Sequence, residues 1–261
     1  MTQSFERHLP IAGTYNIRDL GGYATGSGET RWRQVLRADA LHRLDEAGMA
    51  TLVEAGVRTV IDLRHDHELV SAPNPFSTAD GVEYINISLF EHLTPPGMAP
   101  GTARPTNVLL ELYKMALAQR QEAIRDVFVA IADAPEGVVL FHCTAGKDRT
   151  GIIAALLLAA HGVDPETIEE DYAVTARMIA PMVDELVAGA VARGADIGRF
   201  KLLLGSEPET MREFLDHLEA AHGGADAYLS AIGIGASQRD RLRTRFVGPT
   251  LAAMSPSAEA Q

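Results

Sequence analysis

One cysteine in 261 residues, Cys143, excludes an internal disulfide framework, so the fold must stand on its apolar core. A chain of this length forms one large domain or two small ones, and a domain of this size buries roughly 70–75% of its unfolded surface. Tryptophan is as scarce, with Trp32 alone. Positive charge is in deficit, 23 Lys and Arg against 35 Asp and Glu, and the net charge of −12 argues against nucleic acid as a partner. Any anion site must then be a local feature working against the global field. Long apolar runs are missing too. The longest, Ile152 to Ala160, falls well short of the ~20 residues that span a bilayer, so no stable membrane insertion is expected. Met1 to Pro10 is polar and charged, without the apolar stretch of a signal peptide. The expected location is the cytoplasm, with export lacking a cleaved signal left open. There is no internal repeat.

What is present is concentrated in His142-Cys143-Thr144-Ala145-Gly146-Lys147-Asp148-Arg149-Thr150-Gly151. An apolar β-like run, Val138 to Phe141, precedes it and a helix-like run from Ile152 follows it. A helix start leaves backbone N–H groups without partners, and with the helix dipole these make an anion site. Successive inward N–H groups of the loop form a concave nest for phosphate. Ala145 and Gly146 are small enough for close approach, and Gly146 tolerates positive φ. Arg149 closes the ring with a planar fork for two phosphate oxygens. The same field favours Cys143 as thiolate, the nucleophilic form. A nucleophile at the floor of a phosphate cup points to attack on phosphorus. Asp148 is the nearest carboxyl group for proton transfer. Lys147 reads as a mobile cation at the rim, suited to a substrate with more than one phosphate. Thr150 is a candidate donor to the sulfur and His142 an orienting residue. The phosphate-binding set is thus Thr144, Ala145, Gly146, Lys147, Asp148 and Arg149.

This stretch resembles the Cys-x5-Arg signature of the protein tyrosine phosphatase superfamily, and more narrowly the loop of its bacterial tyrosine and lipid phosphatases. Asn16-Ile17-Arg18-Asp19-Leu20-Gly21-Gly22, Leu36-Arg37-Ala38-Asp39-Ala40-Leu41, Val60-Ile61-Asp62-Leu63-Arg64 and Tyr228-Leu229-Ser230-Ala231-Ile232-Gly233 resemble further blocks of that group, in the same order. Ala38 stands where serine is usual. The resemblance spans about residues 13–247. It implies Cys143 as nucleophile, Arg149 as clamp and Asp148 as general acid. Most of the superfamily carries its acid on a separate Trp-Pro-Asp loop, which this chain lacks. It also implies action on phosphotyrosine, phosphoinositides (through Lys147) and phosphoserine or phosphothreonine, by way of a cysteinyl-phosphate and without metal or cofactor. The expected partner is a phosphorylated protein or phosphoinositide; oligomeric state is left open.

The alternation of strands and helices predicts an α/β fold: a central, mostly parallel sheet flanked by helices, phosphatase-like, with a helical insertion after the catalytic loop. Residues 1–250 read as one domain and 251–261 as a disordered tail. Asp45 caps a helix over 46–55 ended by Gly56. Strands follow at 58–63 and 82–89, then a Pro- and Gly-rich loop at 91–106, helices at 107–118 and 119–133, and the strand 138–142. Asp164-Pro165 opens another helix, and Ser237 caps the last. Residues 175–220 read as an all-helical extension. In it Ile179, Met182, Val183, Leu186 and Val187 share one face, read as core packing, with a mobile lid over 175–204 as the sharper reading.

Two rival functions are kept. His65 and His67 in Asp62-Leu63-Arg64-His65-Asp66-His67 have the spacing of a metal-dependent hydrolase, although two histidines need further ligands; otherwise they are loop residues near the pocket mouth. The other rival is a non-catalytic phospho-ligand module. Asp62 and Arg64 read equally as partners behind the phosphate loop or as a surface ion pair. Arg18 and Asp19 read as structural, Glu91 and His92 as the fallback acid, and Arg239, Arg241, Arg243 and Arg245 as a solvated face.

Overall fold

A computed structural model describes residues 6–93, 105–192 and 194–249. Its strands are β1 (Arg18–Asp19), β2 (Ala24–Thr25), β3 (Gly28–Thr30), β4 (Val35–Ala38), β5 (Val57–Asp62), β6 (Glu83–Asn86), β7 (Val138–His142) and β8 (Val247–Gly248). The helices are α1 (Glu46–Glu54), α2 (Asp66–Ser71), α3 (Val108–Gln119), α4 (Gln121–Asp133), α5 (Asp148–Ala160), α6 (Pro165–Ile179), α7 (Val183–Ala192), α8 (Ile197–Leu202), α9 (Pro208–His222), α10 (Ala225–Ala231) and α11 (Ala236–Phe246). The main sheet runs β1-β4-β7-β5-β6, parallel except for β1. A small antiparallel sheet, β2-β3-β8, ties the C-terminal end to the N-terminal third. This is the α/β architecture expected.

Every residue of β7 is buried, as a central parallel strand requires. Side chains alternate across it. Val139 and Phe141 enter a core with Val35, Ile61 and helices α3 to α6 and α9 to α11. Val138 and Leu140 enter the opposite core with Leu36, Val60 and Leu52 of α1. Burying such a side chain contributes roughly 1.5–3 kcal/mol. Helix α5 is buried from Thr150 to Leu158, and it packs against β4, β7, α3, α6 and α10. An apolar surface on all sides suits a helix enclosed by the core. His142 is level with Ala38 on β4 and Asp62 on β5. The β7–α5 loop therefore leaves the carboxyl ends of the central strands, where parallel α/β sheets hold their ligands.

Local signals set most of the boundaries. Asp45 accepts from Gly48 N at 2.8 Å and Asp164 from Glu166 N at 2.9 Å, capping α1 and α6. Two expectations need correction. The strand at 82–89 is only Glu83–Asn86, because its partner β5 ends at Asp62, opposite Asn86. Helix α11 starts before Ser237, with Gly235 N donating to Gln238 Oε1 at 2.8 Å. The segment 175–220 is helical as expected, in several pieces: α6 stops at Ile179 ahead of Pro181, and Pro208 opens α9. Residues 94–104 of the expected long loop, and the expected tail at 251–261, lie outside the described residues. On α11, Arg241 meets Asp133 at 2.5 Å and Arg245 donates to Gly137 O at 2.9 Å, so these arginines bind the helix to the α4–β7 turn.

Candidate active site

The 143–147 loop between β7 and α5 is held from behind by its carbonyls. Asn16 Nδ2 donates to Ala145 O at 2.9 Å and to Gly146 O at 3.2 Å, and Arg37 Nη2 donates to Gly146 O at 2.8 Å. Gly146 sits at φ 66°, and a Cβ there would lie 2.5 Å from Ala38 O, so only glycine fits. Arg37 and Arg18 share one buried carboxylate, Asp171 of α6, at 2.5 and 2.9 Å, and Tyr23 adds a hydrogen bond at 3.0 Å. Burial alone would raise Asp171, but the two guanidinium groups hold its carboxyl well below the usual range. Arg18 also donates to Asn16 Oδ1. Arg18 thus braces the loop through Asn16 and Asp171, while Asp19 accepts from Gly21 N at 2.8 Å and Arg33 N at 3.0 Å.

A second brace lies under His142. Its Nε2 is 2.8 Å from Asn74 Nδ2 and 3.3 Å from Asp62, and its Nδ1 is 3.1 Å from Cys143 O. Asp62 and Arg64 pair at 2.7 Å, both buried, which removes the surface-pair reading. Burial opposes the charge of Asp62, yet His142 and Arg64 keep its carboxyl far below the usual range. Tyr84 and Asn74 also donate to Asp62.

Arg149 carries a partner that the sequence reading missed. Glu68 of α2 takes its fork bidentately, at 2.6 and 3.0 Å, and also accepts from Thr144 Oγ1 and from His65 N at 2.9 Å. Burial would lower Arg149; the charges of Cys143, Glu68 and Asp148 outweigh it and raise the group. Burial would raise Glu68; Arg149 outweighs it and holds the carboxyl at about 2. The signal lay in His65-x-x-Glu68, the capping-box spacing for a carboxylate that turns back on the helix start.

Asp148 opens α5 and accepts from Tyr113 Oη at 2.6 Å, and Tyr113 Oη lies 2.8 Å from Tyr172 Oη. Lys147 corrects an expectation. It is not a rim cation but 1% exposed, donating to Leu203 O and Gly205 O at 2.6 Å each and pairing with Asp148 Oδ1 at 3.0 Å. Three donors meet three acceptors, so its charge is used within the protein. Thr150 is fully buried and its hydroxyl has no hydrogen-bond partner among the described residues; the expected contact with sulfur is not formed here.

The rings of His65 and His67 stack with centroids 5.3 Å apart, and His65 Nδ1 is 2.8 Å from Ser88 Oγ. Among the described residues no three His, Cys, Asp or Glu side chains converge as a metal site, so the metal-hydrolase alternative lacks its further ligands there. Glu91 pairs with Arg120 at 3.4 Å and with His92 at 3.6 Å, and neither Glu91 nor His92 lines the cavity at Cys143.

That cavity, about 260 Å³, has Cys143, Thr144, Ala145, Asp148 and Arg149 at its floor. Phe90, Leu109 and Leu112 form one wall. Ile179, Leu186, Phe200, Leu203 and Leu204 also line it, so two of the five residues of the expected stripe reach the pocket, while Met182 is buried and lies outside its lining. Cys143 itself is buried, with 2% exposed.

A model of the tyrosine phosphatase family matches residues 9–248. The chain belongs to that family. It is a protein-tyrosine phosphatase, and a curated relative agrees: a tyrosine-protein phosphatase of Nostoc commune is 34% identical over 81% of this chain and 73% of its own length. The triple specificity protein phosphatase PtpB of Mycobacterium tuberculosis is 27% identical over 93% of this chain and 99% of its own. Among solved structures, TpbA of P. aeruginosa in complex with pTyr overlaps at TM-score 0.31 and 19% identity, over 66% of this chain and 85% of that one. Among the described residues no helix of the phosphatase is long and apolar enough to cross a membrane.

Proposed function

We propose that this phosphatase hydrolyses phosphomonoesters in two metal-independent steps through a cysteinyl-phosphate at Cys143. The thiolate attacks phosphorus while Asp148 protonates the leaving oxygen. Asp148, now a carboxylate, then activates water to release phosphate. Loop amides from Thr144 to Arg149 and the Arg149 guanidinium carry the charge that spreads over the transferring group. The observation that carries this reading is the meeting of Cys143, Asp148 and Arg149 in one cavity, with the loop carbonyls tied back by Asn16 and Arg37.

Phosphotyrosine is the substrate class that the walls favour. Phe90, Leu109 and Leu112 offer an apolar slot for an aromatic ring. Phosphoserine and phosphothreonine fill that slot less. A phosphoinositide with a further phosphate would have to draw Lys147 away from Leu203 O and Gly205 O, so it is turned over more slowly. PtpB is named for triple specificity, and the same breadth with phosphotyrosine first is proposed here. One catalytic domain over residues 1–250, at work in the cytoplasm, completes the proposal; within it 175–204 roofs the pocket.

A substrate panel with Cys143→Ser tests it. The expected result is loss of turnover on phosphotyrosine peptides with binding of inorganic phosphate kept, and full wild-type activity in excess chelator. Turnover surviving in Cys143→Ser, or lost with chelator, would contradict the mechanism. Preference for phosphoinositides over phosphotyrosine would contradict the substrate class.

A further inference from the structure

Asp148 presents two different oxygens. Oδ1 receives the Tyr113 hydroxyl at 2.6 Å and lies 3.0 Å from the Lys147 ammonium. Oδ2 accepts no hydrogen bond from another side chain among the described residues. An oxygen that faces two donors has both lone pairs in use and no room for a proton of its own. We infer that Tyr113 is the positioning residue for the general acid: with Lys147 it occupies Oδ1 and leaves Oδ2 as the oxygen that carries the catalytic proton. This rests on the reading of Asp148 as that acid.

The arrangement around Tyr113 has one direction. Its single proton goes to Asp148, so at 2.8 Å Tyr172 must donate to the Tyr113 oxygen. The chain Tyr172, Tyr113, Asp148 therefore points toward the carboxylate. Both rings are essentially unexposed, and Tyr113 meets Tyr172 and Phe214 edge-on at 6.4 and 5.9 Å, so neither hydroxyl is free to turn to water. Burial first, and then the charge of Asp148, pushes both phenols far above their ordinary range, which keeps them protonated donors at working pH. Tyr113 stands on the face of α3 otherwise filled by Leu109, Leu112, Ala116 and Leu117, where apolar packing alone would not call for a hydroxyl.

In the first step the proton on Oδ2 passes to the leaving oxygen as its bond to phosphorus breaks and the sulfur–phosphorus bond forms. In the second step Oδ2 takes a proton from water as oxygen bonds to phosphorus and the electron pair returns to sulfur. One oxygen serves both directions while Oδ1 stays anchored.

The test is Tyr113→Phe, which keeps the ring, measured as kcat/KM on a phosphotyrosine peptide and on nitrophenyl phosphate. Loss of the hydrogen bond that positions the acid predicts a fall of about tenfold on the peptide and about twofold on nitrophenyl phosphate, whose leaving group needs little acid help. Tyr172→Phe shows the same split at smaller size, and it carries the test if Tyr113→Phe fails to fold. A structural role alone lowers both substrates alike; equal falls, or none, overturn the inference. Asp148→Asn in parallel separates the two claims. A selective Asp148→Asn beside an unselective Tyr113→Phe sinks only the role of Tyr113, whereas an unselective Asp148→Asn removes the acid and the inference with it.

Discussion

The floor and the roof of the pocket are built differently. The floor hangs from β7, every residue of which is buried, and its loop carbonyls are gripped by Asn16 and Arg37. Behind them stand two buried carboxylates, Asp171 and Asp62, each holding arginine. The roof, α7 and α8, buries only Ala190 on α7 and leaves Val191 55% exposed; Lys147 ties the turn just after α8 at Leu203, and an exposed Arg43–Glu185 pair at 3.1 Å holds α7. The lesson is a division of labour. Phosphate geometry is set in advance by buried networks with several hydrogen bonds each, while the α7 surface is mostly half-buried or exposed and is expected to be the easier of the two to move.

The largest break in that contrast comes from the floor. Asp171→Asn leaves two buried guanidinium groups short of one negative charge, and the loss of a buried partner costs about 3–5 kcal/mol. Chemical denaturation should show that loss, together with collapse of activity; a change within error would mean that the network does not support the loop. Glu68→Gln comes next. Weakening the grip on Arg149 should lower kcat/KM by about 10–100-fold. It also alters acid stability with a defined sign. The Glu68 carboxyl is held at about 2 against an ordinary 4.5, so its contribution is complete above about pH 4.5 and drains away as pH falls toward 2. A shift of that size corresponds to about 3 kcal/mol. The pH profile of unfolding should lose that limb in the variant, and superimposable profiles would refute the pairing.

Changes to the roof should act differently. Lys147→Met cuts the loop from Leu203 O and Gly205 O, so amide protection over 197–205 should drop while that of 138–142 holds. Equal loss in both stretches would erase the distinction between floor and roof. In the wild type, 183–192 should exchange faster than 138–142, and vanadate should slow it. Smallest of all is Glu185→Gln, which breaks an exposed pair worth under about 1 kcal/mol and should leave melting and kcat/KM within error.

How much was legible follows from where each residue keeps its partners. The strand, loop and helix of 138–160 read directly, because apolar runs, a glycine at positive φ and a helix start are local matters. That Cys143, Asp148 and Arg149 line one cavity was legible for the same reason. Glu68, Tyr113 and Asp171 did not, since each acts on a residue distant in sequence: Glu68 on Arg149, Tyr113 on Asp148, Asp171 on Arg18 and Arg37. Asp171 left a trace, as a charged residue on the buried face shared by Ile168, Tyr172, Thr175 and Ile179 of α6. Lys147 misled for the opposite reason. A lysine beside a phosphate loop suggests a ligand, and only the return of the chain at 203–205 brings the carbonyls that take its charge.

The central claim is a phosphoryl group carried on one sulfur. Asp148→Asn should still form that adduct from nitrophenyl phosphate, whose leaving group departs unaided, and should be slow to hydrolyse it. Acid quenching during turnover followed by peptide mapping should find one phosphoryl group on the peptide that holds Cys143. A phosphoryl group on any other residue, or none at all while nitrophenol is released in a burst, would contradict the account.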